Sequence, residues 1–198
     1  MSEPKPEVKK RADAQANYDR ILGVALEALT ADPDASLNSI AKTAGVGAGT
    51  LYRHFPTRDH LVVAAYRHEV EELVDAAYSP WLSELAPTAA LRTWFDRMAQ
   101  YGMTKVGLKS ALDAATQSVP FERDEIHNTL TAAISHLLER GQAAGELRAD
   151  LTAEDVLLAV GFLWRLDPAS DWRPQAARLL DLVVDGLRAA PVSATPAG

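Results

Sequence analysis

The segment that most constrains this chain runs from Ser36 to Leu61 and reads SLNSIAKTAGVGAGTLYRHFPTRDHL. Apolar residues at the i, i+3, i+4, i+7 spacing of a helix face are Leu37, Ile40, Ala41 and Ala44. Ser36 precedes this stripe and predicts the helix N-cap, while Gly45 predicts the helix end and Val46 a buried plug after it. The spacing therefore predicts a short amphipathic helix that stops in a tight turn.

A second short helix is predicted over residues 47–54, and a third begins after Pro56. Leu51 and Phe55 are expected to face the core. The outward positions are then Thr50, Tyr52, Arg53 and His54. Two short helices joined by a tight turn form a helix-turn-helix, in which the second helix lies in the major groove of DNA. The pattern therefore predicts a DNA-binding protein.

The run AGVGAGTLYRHFPTRDHL resembles the DNA-binding signature of the TetR/AcrR family of bacterial transcriptional regulators. The resemblance extends over roughly Ile21 to Leu61. It implies an N-terminal three-helix helix-turn-helix domain at 15–62 and a C-terminal helical domain at 63–190 that binds a ligand and dimerises. Flexible tails are predicted at 1–14 and 191–198.

The fold class follows from periodicity. No segment shows sustained period-two alternation with β-branched enrichment, and helical stripes recur along the whole chain. We predict an all-α fold of about nine helices. Beyond the motif, helices are expected near 57–77, 87–106, 107–118, 121–144, 152–166 and 172–189. Gly145 is predicted to end one of them, and Thr152 with Asp155 to begin the next with a capping box.

The net charge of −7 is unevenly distributed along the chain. Residues 1–60 carry eight basic and eight acidic side chains, whereas residues 61–198 carry twelve and nineteen. The N-terminal part is therefore neutral overall, and local cations there decide phosphate attraction because salt screens charges beyond ~8–10 Å. The chain has no cysteine, signal-peptide pattern or apolar run of the ~20 residues that span a bilayer. We expect a soluble cytoplasmic protein without a membrane partner.

The resemblance also implies which residues contact DNA, position by position. They are Ser36, Lys42, Ala48, Thr50, Tyr52, Arg53, His54 and Arg58. Ser36 and Arg58 would meet phosphates, and Ala48 would touch only a thymine methyl. Alternatives remain open, because Lys42 and His54 also fit an ordinary solvated surface and Tyr52 also fits packing at the domain surface. Gly47 stands where the family often has serine, so the cap hydroxyl of the second helix is missing.

A ligand pocket is implied in the C-terminal domain. The candidate residues are Trp94, Met98, Tyr101, Phe121, His127 and Trp164. Methionine with aromatic rings suits an adaptable apolar site, although any one of these side chains also fits a solid core. The segment YGMTKVGLKSAL resembles the C-terminal domain of one actinobacterial-type TetR subgroup, which names no ligand.

The last two long helices carry more apolar residues than one core face needs. These are Val156, Leu157, Leu158, Val160, Phe162 and Leu163, then Leu179, Leu180, Val183, Val184 and Leu187. Two such helices from each subunit would make an isologous four-helix interface. We expect a homodimer, which implies a palindromic double-stranded DNA operator. The alternative is that these residues pack only within the subunit.

Catalytic motifs are lacking: the sequence has no HExxH, GxSxG, P-loop or GxGxxG. Asp124 and His127 could supply two metal ligands, but no matching second pair exists. We therefore predict no enzyme activity, metal or cofactor. The favoured function is a repressor released by a small apolar or aromatic effector. The alternatives are a helical small-molecule-binding or enzymatic bundle without DNA function, and a ligand-independent regulator or activator.

Overall fold

The computed structural model describes residues 6–121 and 123–189 of the chain. The helices within these ranges are α1 (Pro6–Ala31), α2 (Leu37–Thr43), α3 (Ala48–His54), α4 (Arg58–Ala77), α5 (Pro80–Ser83), α6 (Pro87–Gly107), α7 (Lys109–Ala115), α8 (Arg123–Ala143), α9 (Ala153–Ala159), a 3₁₀ helix (Val160–Arg165) and α10 (Arg173–Leu187). The one extended pairing in the described chain is an isolated antiparallel bridge between Leu147 and Arg188. The predicted all-α fold class is confirmed.

The described chain divides into two compact units. The N-terminal unit contains residues 6–71 and 104–121, and the C-terminal unit contains residues 72–103 and 123–189. Helices α4 and α6 each begin in one unit and end in the other. The assignment of functional domains to 15–62 and 63–190 stays a prediction.

Helix α1 is longer than the sequence indicated. It begins at Pro6, so the backbone of residues 6–14 is helical where a flexible tail was expected. Proline suits the first position of a helix, where its missing N–H has no partner to lose. No glycine interrupts the chain before Gly23, and the next proline is Pro33. Residues 1–5 and the tail at 191–198 lie outside the described residues.

The core of the N-terminal unit is built around α1. Ile21, Ala25 and Leu29 are fully buried on one face of this helix. The two short helices bury Leu37, Ile40, Ala41, Leu51 and the following Phe55. Each such large apolar side chain contributes roughly 1.5–3 kcal/mol when it leaves water. This burial supplies the stability that helices of seven residues lack on their own.

The C-terminal unit has an aromatic core on α6. Trp94, Phe95 and Met98 are fully buried, and the Trp94 indole N–H donates a 2.8 Å hydrogen bond to the Leu73 carbonyl. Helix α10 is fixed to α6 by the Arg92 guanidinium, whose Nε donates to Asp181 at 2.6 Å. The aromatic rings therefore pack inside a unit in which a salt bridge also links α6 to α10.

Local signals set most helix ends as predicted. Gly145 has a positive φ of 70° after α8, and the Glu146 N–H donates to the Gly141 carbonyl, as in a Schellman end. Thr152 and Asp155 form the predicted capping box at the start of α9. Two predictions were wrong in detail. The helix expected over 152–166 changes from α to 3₁₀ at Val160, and the short helix α5 was missed.

The start of α6 is held by a carboxylate from a distant part of the chain. The Thr88 N–H and hydroxyl donate to Glu146 Oε2 at 2.9 and 2.8 Å. These two donors favour the ionised carboxylate and lower the pKa of Glu146 below its usual value. A lowered pKa in the folded state means that the stabilising contribution is complete above the unfolded pKa of about 4.3 and is lost as the pH falls below it.

We therefore expect Glu146→Gln to lower the free energy of unfolding at pH 7, because the amide cannot carry the charge that Thr88 stabilises. The deficit should shrink between about pH 5 and pH 3, where the wild-type carboxylate is protonated as well. Urea denaturation across this pH range measures it. The control is Glu139→Gln, at an exposed position of α8. A deficit that stays constant with pH would contradict the assignment.

Candidate DNA-binding surface

Helix α2 begins with the predicted cap. The Ser36 backbone is extended, and its hydroxyl accepts a 3.1 Å hydrogen bond from the Ser39 N–H. The Ser39 hydroxyl returns a bond of 2.8 Å to the Ser36 carbonyl. Both serines are exposed, so this helix start lies at the surface of the unit. A helix start of this kind suits a phosphate.

The turn between α2 and α3 is a Schellman end. The Val46 N–H donates to the Ala41 carbonyl at 3.0 Å, and the Gly45 N–H to the Lys42 carbonyl at 3.1 Å. Gly45 has a φ of 65°, a conformation that favours glycine. Val46 is half-buried rather than the buried plug that was predicted.

Helix α3 presents a short, mostly small surface. Gly47 is its N-cap, with an ordinary extended backbone and no side-chain cap bond. Ala48 and Gly49 follow it and are exposed. Leu51 is fully buried, whereas the Tyr52 side chain is 45% exposed. The predicted inward and outward faces of this helix are present, and Tyr52 is its largest exposed side chain.

Arg53 folds back onto its own helix. Its Nε donates to the Gly49 carbonyl and its Nη2 to the Thr50 hydroxyl, both at 3.2 Å. These contacts are exposed and within one turn of the helix, so they hold the guanidinium only weakly. Arg53 is therefore free to reorient, and Thr50 is half-buried beneath it.

His54 belongs to an aromatic cluster at the end of α3. Its ring centroid lies 5.7 Å from that of Tyr18 and 6.1 Å from that of Phe55, while Tyr18 and Phe55 stack at 5.4 Å. Burial, followed by the negative charge of Glu71, raises the pKa of Tyr18. His54 itself is exposed, so one edge faces the cluster and another faces solvent.

Arg58 is placed differently from the other predicted contacts. Its guanidinium donates to the Pro33 carbonyl through Nη2 and to the Ala35 carbonyl at 3.3 Å through Nε. Both carbonyls lie in the loop that precedes α2. The structure adds a second arginine, Arg20 of α1, whose Nη1 donates to the Ala44 carbonyl. Sequence reasoning missed Arg20 because its partner is distant in the chain and no local pattern marks the pair.

Among the described contacts, the other seven predicted DNA-contact residues make no hydrogen bond to a distant segment of the chain, although the His54 ring packs against Tyr18 of α1. Six of them are exposed: Ser36, Lys42, Ala48, Tyr52, Arg53 and His54. Thr50 is half-buried. They lie on α2, α3 and their starts, which is the arrangement that a helix-turn-helix presents to the major groove and its flanking phosphates.

The residues predicted to line a ligand pocket are only partly brought together. Trp94, Met98 and Tyr101 share one buried face of α6, and the Tyr101 ring meets the Trp164 ring edge-on at 5.7 Å. Phe121 belongs to the N-terminal unit, where it packs on Tyr66 at a centroid distance of 5.7 Å.

His127 does not match its predicted place. Its side chain is 52% exposed, and its Nε2 lies 3.2 Å from Glu154 Oε1 on α9. Asp124 on the same helix is also exposed. By helical spacing His127 lies on the same side of α8 as the buried Leu130 and Ile134, but one turn nearer the start of the helix, where its side chain is exposed. In the described chain no group of three or more His, Asp or Glu side chains is arranged to hold a metal.

Trp164 sits in a notch that only glycine allows. A Cβ built on Gly102 would lie 2.8 Å from Trp164 Cζ3, well inside van der Waals contact. Trp164 is half-buried and lies within the 3₁₀ segment. A groove of about 580 Å³ elsewhere in this unit is lined by charged groups, including Arg92, Glu146 and Arg188, and by none of the predicted pocket residues.

Two family profiles match the chain. The profile described as bacterial regulatory proteins, tetR family, covers residues 21–65. The profile described as transcriptional regulator SbtR-like, C-terminal domain, covers residues 86–189. The first match therefore spans α2 and α3, and the second spans α6 to α10.

Solved structures and a curated protein agree with these matches. A TetR transcriptional regulator from Streptomyces coelicolor is 41% identical, with a TM-score of 0.81 over 87% of this chain and 99% of that one. One from Mycobacterium vanbaalenii is 32% identical, with a TM-score of 0.72 over 90% and 98%. An HTH-type transcriptional regulator from Staphylococcus aureus is 40% identical over 68 residues, 33% of this chain and 36% of that protein. The match thus spans about a third of this curated relative.

The capped α2, the Schellman turn and the exposed α3 define a helix-turn-helix protein. With both profiles matched, the chain belongs to the TetR family of bacterial transcriptional regulators. The predicted family is confirmed, and with it the class of DNA-binding, ligand-responsive regulators. None of the helices in the described ranges combines the length and apolar character needed to cross a bilayer.

The missing cap hydroxyl at Gly47 gives a test of the α3 start. We expect Gly47→Ser to raise the free energy of unfolding by a few tenths of a kcal/mol, because serine is a better N-cap. The backbone there is already extended, and an added Cβ meets nothing closer than 4.0 Å. Gly47→Ala is the matched control and should lower stability by about 0.5–1 kcal/mol, since alanine caps poorly. Urea unfolding measures the free energy of unfolding of both variants. If Gly47→Ala is as stable as Gly47→Ser or more stable, position 47 is not the N-cap of α3.

Proposed function

We propose that this protein is a repressor that binds a palindromic operator as a homodimer and is released by a small apolar or aromatic effector. The observation that carries the DNA-binding part is the exposed α3 with Tyr52 at its centre, set beside the solvent-facing start of α2. We assign DNA reading to residues 15–62 and effector binding and dimerisation to residues 63–190. Such a protein acts on DNA in the cytoplasm, and no catalytic role is proposed.

The proposed direct contacts are the residues held on this surface. They are Ser36, Lys42, Ala48, Thr50, Tyr52, Arg53 and His54. Lys42 and the α2 start would meet phosphates, which position the protein, while Thr50 and Tyr52 would meet base edges or sugars in the major groove. Ala48 and Gly49 offer no long side chain, so DNA shape would carry part of the specificity.

Two variants separate these roles. Lys42→Ala should weaken binding to DNA from upstream of the protein's own gene and reduce the slope of log affinity against log salt by about one unit, because one phosphate contact is lost. Tyr52→Ala should weaken binding by roughly 1–3 kcal/mol with the slope unchanged, because an uncharged contact is lost. Fluorescence anisotropy at several salt concentrations measures both. Unchanged affinity in both folded variants would remove the assignment.

The dimer is supported by apolar residues that the subunit leaves uncovered. Leu158 on α9 is 78% exposed and Leu182 on α10 is 69% exposed. Residues predicted for the interface but buried within the subunit are Val156, Val160, Leu163, Leu180, Val184 and Leu187. Leu179, Leu182, Val183 and Gly186 share one face of α10 by helical spacing. The proposed interface is therefore narrower than the predicted set and includes Leu182, which that set omitted.

Charge placed on this face should separate the subunits. Leu158→Glu combined with Leu182→Glu should give a monomer at micromolar concentration, because two carboxylates per subunit would be buried without partners. Sedimentation or light scattering measures the mass. Asn128→Glu, at an exposed position of α8, is the control for added charge and should remain dimeric. A wild-type protein that is monomeric at micromolar concentration would overturn the dimer.

The proposed effector site is the aromatic cluster on α6 with Trp164. Support comes from the half-buried Trp164, its glycine notch and the 3₁₀ segment that carries it. The Trp94 indole hydrogen bond ends on Leu73, a residue of α4. An effector that rearranges this cluster would therefore act on α4, the helix that begins at Arg58 within the proposed DNA-binding region. The effector must favour the state that does not bind DNA, and a coupling of ~1–3 kcal/mol would lower DNA affinity about 5–150-fold.

Tryptophan emission tests the site. From a panel of apolar and aromatic compounds, those that release the protein from DNA should change the emission of the wild-type protein. The change should be lost in Trp164→Phe and kept in Trp81→Phe, whose ring is exposed beneath Arg97. The Tyr101→Ala variant should stay bound to DNA in the presence of the same compounds. Compounds that release DNA yet leave the emission unaltered would refute the cluster as the effector site.

A further inference from the structure

We propose that Arg20 and Arg58 are positioning residues of the DNA reader, which hold the two ends of α2 through backbone carbonyls rather than by contacting DNA. This inference rests on the proposed function only in its second consequence, the effect on DNA affinity. The first consequence, the placement of α2, concerns the free protein.

Arg58 holds the loop before α2. Its Nη2 and Nε donate to the carbonyls of Pro33 and Ala35, two residues apart in the loop. These carbonyls precede the helix, so no N–H of α2 can satisfy them. The planar guanidinium offers several donors in a fixed fork, whereas a lysine ammonium is a point donor that cannot reproduce the pair. The contact places the residue directly before Ser36, the cap of the helix.

Arg20 holds the other end. Its Nη1 donates to the carbonyl of Ala44, the C-cap of α2, and its Nη2 donates to Asn17 Oδ1 at 2.6 Å. The Asn17 contact, one turn away on α1, orients the guanidinium. A cation at a helix C-terminus also complements the partial negative charge of the last carbonyls. The Schellman bonds use the carbonyls of Ala41 and Lys42, which leaves that of Ala44 for the arginine.

Helix α2 needs such holds because it has only seven residues. A helix of this length is not stable in isolation, so its position depends on what it packs against. Leu37, Ile40 and Ala41 fix one face on the core, but burial is non-directional and leaves sliding along the axis weakly opposed. Carbonyl contacts at both ends oppose that sliding. They set where the Ser36 start and, through the turn at Gly45, the exposed α3 are presented.

The two roles open to Arg58 predict opposite results. If Arg58 is a phosphate contact, only its positive charge matters, and a lysine at this position should bind DNA nearly as well. If Arg58 is a positioning residue, the forked geometry of its guanidinium matters, and lysine cannot replace it. Removing Arg58 would then leave the number of phosphates that the protein neutralises unchanged. Amide exchange in the free protein and salt-dependent DNA binding together distinguish them.

The experiment uses full-length protein with Arg58→Lys, Arg20→Lys, Arg58→Ala and, as an arginine-to-lysine control in the C-terminal unit, Arg97→Lys. Hydrogen exchange without DNA should show the α2 amides of Ile40–Ala44 exchanging roughly ten- to hundredfold faster in both Arg20→Lys and Arg58→Lys, as the loss of charge-assisted bonds implies. Exchange in α6 and α8 should stay at the wild-type rate, and Arg97→Lys should leave α2 unchanged. Exchange in α2 within twofold of wild type, or equal acceleration in every helix, would overturn the proposal.

The DNA arm uses a fragment from upstream of the protein's own gene. Arg58→Ala and Arg58→Lys should weaken binding to a similar extent with the salt slope of the wild type, whereas Lys42→Ala lowers the slope by about one unit. A slope lowered by one unit in Arg58→Ala and restored in Arg58→Lys would make Arg58 a phosphate contact and overturn the proposal. If the wild-type protein fails to bind DNA, the proposed function fails, and the exchange arm still decides the role of both arginines.

Discussion

The DNA-binding surface depends on how α2 and α3 pack against α1. Neither seven-residue helix holds its shape alone, so the buried Ile40 and Leu51 and the fully buried face of α1 supply the free energy that makes them helical. Burial of one side of α3 leaves its other side exposed to solvent. Because the core fixes the side of α3 that carries Leu51, Tyr52 on the other side faces solvent, where a DNA groove can reach it.

Local chemistry explains why so much of this unit was predictable. Ser36 and Gly45 each act within a few residues of themselves, as a cap and a left-handed turn, and the apolar spacing of the segment places Leu51 on the buried side of its helix. The arginine contacts were not predictable, because Arg20 meets Ala44 and Arg58 meets Pro33 across more than twenty residues. The sequence around an arginine on the polar side of a helix does not indicate which distant carbonyl its guanidinium will contact. The helical extension to Pro6 was not predictable, because a stretch rich in charged residues is as typical of a disordered arm as of an exposed helix.

The C-terminal unit shows where residue type alone fails. Aromatic residues predict burial, and Trp94, Met98 and Tyr101 are indeed buried on one face of α6. Whether they enclose a ligand depends on packing that composition does not encode. The same limit applies to surfaces: helical spacing places Leu180 and Leu182 on opposite sides of α10, but the residue type does not say that the side with Leu180 is buried and the side with Leu182 is exposed. Only the fold separates core from the proposed interface.

In the proposed complex, two copies of this chain read a two-fold symmetric DNA site through α3. The most direct measurement is a hydroxyl-radical footprint of the wild-type protein on DNA upstream of its own gene, at low and high salt. A symmetric dimer should protect two half-sites related by a dyad, with centres about 10 base pairs or a multiple of that apart, and the protection should fade as salt rises. No protection at low salt, or protection of a single half-site without a symmetric partner, would contradict the proposed complex.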